Sequence, residues 1–121
     1  MIAIITGATG DIGKEFVSNL IHEVDQVWTV GRNEDKLNHL KQQFGNKIVT
    51  LSVDLSDKEE ILNLCSRIES EKPQIRYLVN NAGVARMAPV SEFSLEEICS
   101  MLDINEMAAT LLCRACLWLS A

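Results

Sequence analysis

Three glycines, Gly7, Gly10 and Gly13, recur at three-residue spacing directly after the apolar run Ile2 to Thr6. Each has a physical task at such a junction. Gly7 turns the chain sharply off a strand, Gly10 lets backbone approach an anion with no side chain in the way, and Gly13 permits close packing of the next helix. A helix beginning near Asp11 aims free N–H groups and a positive dipole end at the same place. The chemistry this suits is the holding of a diphosphate, with Thr6, Thr9, Asp11 and Ile12 completing the turn. A P-loop would need Gly-Lys-Ser/Thr, which Gly13-Lys14-Glu15 does not supply. On the motif alone, an ordinary tight turn stays open as the alternative.

The elements that position this turn alternate in period. Ile2 to Thr6 is expected to be a buried strand, followed by helical spacing of Ile12, Phe16, Val17, Leu20 and Ile21. Gln26 to Val30 is a second strand. Leu37, Leu40 and Phe44 mark a second helix, which Gly45 ends. Lys47 to Val53 is a third strand. Ser56 and Glu59 form a capping-box pattern ahead of the stripe Ile61, Leu64, Cys65 and Ile68. Gln74 to Asn80 holds a fourth strand, and Ser94 with Glu97 repeats the capping pattern before a final apolar helical region. Strands that are apolar throughout and alternate with helices predict an α/β fold, a doubly wound parallel sheet covered on both faces. One domain over residues 1–121 accounts for the whole pattern.

Composition narrows the function. The chain has 121 residues, a hydrophobic content of 47% and a formal net charge of −6. That supports a packed core and disfavours nucleic-acid and membrane-surface partners, since no Lys/Arg cluster builds a basic face. No apolar run approaches the roughly 20 residues of a membrane span, and Met1 to Ile5 is too short for a signal-peptide core. A cytoplasmic location is expected. There the four cysteines are not expected to form a disulfide framework. Cys113 and Cys116 have C-x-x-C spacing but lie in a helical apolar run with no second pair, so small buried side chains are expected there and not a metal site.

"TGATGDIG" at Thr6 to Gly13, followed by "NNAG" at Asn80 to Gly83, resembles the short-chain dehydrogenase/reductase family. The likeness runs along essentially the whole chain, through Asp54-Leu55 after the third strand to Asn105 in the final helical region. It implies a Rossmann-type fold, and for this stretch, which stops before a fifth strand, the order 3-2-1-4 with the fourth strand at an edge is expected. It implies adenosine recognition by Asp54 and Leu55 and a ribose-side wall from Asn81, Ala82 and Gly83, with a helix-entry residue near Ser56 and Asp57 as the alternative for Asp54. The single-domain branch would place glycine at position 11, where this chain has Asp11. That carboxylate is expected to point away from a diphosphate and cap the helix.

A site for NAD in this fold offers a carboxylate about 20 residues past the glycines. Here the second strand runs into Val30-Gly31-Arg32-Asn33, with no acid before Glu34. Arg32 is a planar cation suited to a 2′-phosphate and to stacking on adenine, so NADP(H) is expected over NAD(H), with a solvated loop arginine as the alternative. The resemblance implies hydride transfer between that cofactor and an alcohol or carbonyl, through a Ser and a Tyr-x-x-x-Lys pair. Tyr77 is the only tyrosine and Asn81 stands four residues beyond it. Asn105 is the one catalytic position that carries over, and a locally bonded helix amide is its alternative. The chain is therefore expected to be the cofactor-binding half of such an enzyme. A nucleotide-binding regulatory or interaction module is the competing reading. The broad apolar surface of the last helices, Met101 to Leu119, predicts a homo-oligomer.

Overall fold

The computed structural model describes residues 1–83 and 94–120. Strand β1 (Ile2–Thr6) leads to helix α1 (Asp11–Leu20), then β2 (Gln26–Gly31), α2 (Glu34–Phe44), β3 (Ile48–Ser52), α3 (Lys58–Glu71) and β4 (Ile75–Asn80). A helical run follows: α4 (Leu95–Leu102), a π-helical stretch (Asp103–Ala108) and α5 (Ala109–Ser120). The sheet is parallel throughout, in the order β3-β2-β1-β4. This is the expected 3-2-1-4 order, with β4 at an edge.

Side chains alternate across β1, so its apolar run feeds two cores. Ile2 and Ile4 join Trp28, Val30 and Leu51 on one face, under Ile61, Leu64 and Ile68 of α3 and Leu112, Ala115 and Cys116 of α5. Ala3 and Ile5 join Val27 and Ile48 on the other, under Val17 of α1 and Leu40 of α2. Thr29, fully buried within β2, resolves its hydroxyl by donating to the Val49 carbonyl at 3.0 Å.

Local chemistry sets the helix ends. Asn33 caps α2 by accepting from the Lys36 N–H at 3.0 Å. Gly45 closes that helix at φ +93°, a conformation that favours glycine. Ser94 accepts from the Glu97 N–H at 3.1 Å, as the capping pattern there predicts. Lys47 sends its ammonium to the carbonyls of Ile21 and Val24, just past the end of α1, at 2.9 and 3.0 Å.

Four sequence expectations are corrected. The cap of α3 is Asp57 and not Ser56: Asp57 Oδ1 accepts from the N–H groups of Glu59 and Glu60, while the Ser56 hydroxyl is engaged by Asp54. Asp11 does not cap α1. Gly10 occupies that position with no side-chain cap, and Asp11 is the first helical residue. The buried stripe of α1 is narrower than expected, since Ile12 is 67% exposed and Phe16 38%. Close seating of the helix at Gly13 centres the contact on the line Gly13–Val17–Ile21 and leaves its neighbours on the flank. Of the cysteines, Cys65 and Cys116 are buried between α3 and α5, whereas Cys99 and Cys113 are exposed.

On the final helical run, Ala108, Leu112 and Ala115 belong to the core, and Leu95, Leu102, Met107 and Leu117 are exposed. The side chains of Met101, Ile104, Trp118 and Leu119 lie outside the described residues. Leu112, fully buried, is the anchor of α5 on the sheet. Leu112→Ala should cost about 3 kcal/mol of stability. A lowered urea midpoint with an unchanged slope is the expected reading.

Candidate functional site

A cleft of about 280 Å³ opens at the carboxyl ends of the strands, lined by Gly7, Thr9, Val30, Gly31, Arg32, Val53, Asp54, Leu55, Ala82 and Gly83. In doubly wound sheets this is where ligands sit, at the point where strand order reverses from β1 toward β4.

The floor is the glycine turn. Gly7 has φ +62°, and a Cβ there would lie 3.0 Å from the backbone of Ala82. A Cβ on Gly13 would lie 2.0 Å from the Gly7 carbonyl oxygen. The close approach at Gly13 is thus to the turn itself more than to the strand. Gly10 differs from both. Its φ is −76°, and the nearest atom to an added Cβ, the Gly7 oxygen, is at 3.6 Å, an ordinary contact. The fold demands glycine at positions 7 and 13 and not at 10.

The segment after β4 is stitched to this turn. Thr6, buried at the end of β1, accepts from the Ala82 N–H at 3.0 Å through its hydroxyl oxygen. The Asn81 amide donates to the Gly7 carbonyl at 3.2 Å, an oxygen that also accepts from the Gly10 N–H at 3.3 Å. Thr6, Gly13 and Asn81 therefore hold the cleft from beneath. A Cβ on Gly83 would stand 2.9 Å from Asn105 Oδ1, which brings the π-helical stretch against the same segment.

Arg32 and Asp54 supply the charge. Arg32 is exposed at the end of β2, and Val53 joins β3 to that end by donating to the Gly31 carbonyl at 2.8 Å. Asp54 Oδ1 accepts from the Ser56 hydroxyl at 2.6 Å and the Ser56 N–H at 3.0 Å. These hydrogen bonds, aided by the charge of Arg32, hold its carboxyl below the ordinary value of 3.8. No hydrogen bond or ion pair among the described residues ties up the Arg32 guanidinium.

Of the residues singled out from sequence, Gly7, Thr9, Arg32, Asp54, Leu55, Ala82 and Gly83 meet in this cleft. Gly10 and Asp11 line a neighbouring cleft between α1 and α2, with Thr9, Lys14, Lys36 and His39. Asp11 is not among the residues that line the main cleft. Ile12 is exposed and lines neither of these clefts. Val30, Gly31 and Val53 were missed, although adjacency to the strand ends that carry Arg32 and Asp54 was a sufficient signal. Tyr77 lies mid-strand, and its hydroxyl donates to Glu23 Oε1 at 3.3 Å, away from the cleft. Among the described residues no group of three or more His, Cys, Asp or Glu is placed to hold a metal. Burial raises the thiol of Cys116 to about 11.

The parallel 3-2-1-4 sheet, the positive-φ glycine turn and the cleft at the strand ends define a Rossmann-type domain. The family comparison agrees: a family model described as short chain dehydrogenase matches residues 1–119, and the chain belongs to that family. The NADP-dependent 3-hydroxy acid dehydrogenase of Escherichia coli K12 is 30% identical over 118 residues, covering 97% of this chain and 48% of that enzyme. An uncharacterized oxidoreductase of Staphylococcus epidermidis is 28% identical over 104 residues, covering 86% of this chain and 45% of the relative. Among solved structures, a closed form of serine dehydrogenase complexed with NADP+ superposes with a TM-score of 0.83 at 30% identity, covering 98% of this chain and 48% of that one. A metagenomic short-chain oxidoreductase in complex with NADP gives 0.89 at 25% identity, covering 98% and 55%. The chain spans about half the length of these relatives.

Two outcomes test this geometry. Gly13→Ala, which drives a methyl into the Gly7 carbonyl, should destabilise the fold by about 3 kcal/mol, whereas Gly10→Ala should stay within about 1 kcal/mol of the parent. Thermal melts of the two variants check the contrast. Because the Asp54 carboxyl is depressed, its contribution to stability is complete above 3.8 and is lost as pH falls through the lower folded value. Carboxyl NMR should show Asp54 titrating below 3.8.

Proposed function

We propose that this chain is the cofactor-binding half of an NADP(H)-dependent oxidoreductase that exchanges hydride between the nicotinamide and an alcohol or carbonyl. The observation that carries the reading is the pairing of Arg32, unengaged among the described residues, with an oriented Asp54 across one cleft. Arg32 suits a 2′-phosphate, which a carboxylate in its place would repel. Asp54 and Leu55 suit the adenine, and Asn81, Ala82 and Gly83 the ribose side. Gly10, for which the fold has no need of glycine, fits a position kept bare for a diphosphate, with Thr6, Gly7, Thr9, Asp11, Ile12 and Gly13 shaping the turn. NADP in the names of the 30%-identical relatives supports the choice of cofactor.

The cofactor supplies the hydride chemistry, and the protein's part is to bind and orient it. In this reading Asn105, held against Gly83, is a supporting residue for proton transfer by groups that this chain does not contain. A second reading is a nucleotide-binding module without turnover, in keeping with the Tyr77 hydroxyl being bonded to Glu23 away from the cleft. Both readings place the protein in the cytoplasm. Exposed Leu95, Leu102 and Leu117 support self-association through the last helices.

Arg32→Asp is the test. NADPH fluorescence titration should show affinity falling by about 10- to 100-fold, the size of a lost charge-assisted hydrogen bond, while NADH affinity holds or rises. An unchanged preference would remove Arg32 from the site.

A further inference from the structure

We propose that Ser56 is a positioning residue, which clamps one oxygen of Asp54 so that the other is presented to the cleft as the acceptor that selects adenine over a 6-oxopurine. The inference rests on the cleft being a dinucleotide site and concerns how its base is chosen.

Two donors of Ser56, the hydroxyl at 2.6 Å and the N–H at 3.0 Å, converge on the same atom, Asp54 Oδ1. The backbone of Asp54 is held as well. Its N–H donates to Glu60 Oε1 at 3.2 Å, and its carbonyl accepts from the Asp57 N–H at 3.0 Å. Leu55 between them is buried in the core beside Ile61. Asp57 in turn caps α3, so the turn 54–57 is fastened to the first turn of a helix whose own stripe is buried. These contacts restrain rotation of the Asp54 carboxylate.

Asp54 lines the cleft, while Ser56 does not. With Oδ1 saturated by the turn, Oδ2 is the oxygen left for a ligand, and no hydrogen bond to it is made among the described residues. A carboxylate oxygen is acceptor-only. It matches the exocyclic amino group of adenine and opposes the carbonyl oxygen that hypoxanthine carries at the same place. A carboxylate free to spin could turn away from that carbonyl and relax the selection. The clamp therefore acts on the choice between bases more than on grip for the cofactor as a whole.

The experiment is a fluorescence titration of the purified chain with NADPH and with its 6-oxo analogue, reduced nicotinamide hypoxanthine dinucleotide phosphate. The parent chain should favour NADPH by about tenfold, the scale of one hydrogen bond to a charged group. Ser56→Ala should cut that ratio about fivefold, and Ser56→Thr, which keeps both donors, should retain it. In an Asp54→Ala background, adding Ser56→Ala should change the ratio no further, since the two act as one unit. A role confined to stability would lower both affinities together and leave the ratio intact. A parental ratio in Ser56→Ala, equal loss in Ser56→Thr, or a parent chain that binds both nucleotides alike would overturn the inference. A parent chain that binds neither would defeat the dinucleotide reading itself. Ser56→Val, shaped like threonine but without a side-chain donor, replaces Ser56→Ala if the latter does not fold, with the same outcomes decisive.

Discussion

The structure depends on how closely backbone can pass backbone at Gly7. There the chain leaves β1 at φ +62°, with the Ala82 backbone on one side and α1 at Gly13 on the other. A side chain at either glycine would force these pieces apart. The Gly7 carbonyl then becomes a junction, accepting from the Gly10 N–H and the Asn81 amide. Thr6 completes the joint by accepting from the Ala82 N–H. Segments more than 70 residues apart in the chain are so brought into register, and the cleft is the space that this joint leaves open above it.

The sheet delivers the remaining walls by simple periodicity. Because β1, β2 and β3 run parallel, their carboxyl ends fall on one side, and the residues just beyond them converge. Arg32 follows β2, and Asp54 follows β3. The Val53 N–H bonded to the Gly31 carbonyl keeps the two strand ends level. The apolar parts of the strands serve the cores, and the polar exits serve the cleft. Family membership is consistent with this division, since one domain architecture carries many chemistries through residues at such exits.

Local patterns failed where two local chemistries competed. Ser56 and Glu59 satisfy a capping box on spacing, yet Asp57 takes the cap, because Asp54 already engages the Ser56 hydroxyl. Ile12 and Phe16 fit helical spacing, yet both are more than a third exposed, because a bare Gly13 brings the helix in on a narrow line. The cysteines divide for a similar reason. Cys116 falls on the buried stripe of α5 with Leu112 and Ala115, and Cys113 stands off it against the Asn80 amide.

What the sequence alone determined is the order of elements, the parallel sheet and the identity of the glycine turn. Each follows from spacing, from apolar periodicity and from the stereochemistry of glycine, all of which act over a few residues. Only the tertiary structure decided which residues share the cleft, that Asp11 faces the side of α2, and that Ser56 serves Asp54 and not a helix end. Those outcomes depend on which partner reaches a given polar group first. That competition is settled by contacts across the fold, and no window of neighbouring residues contains it.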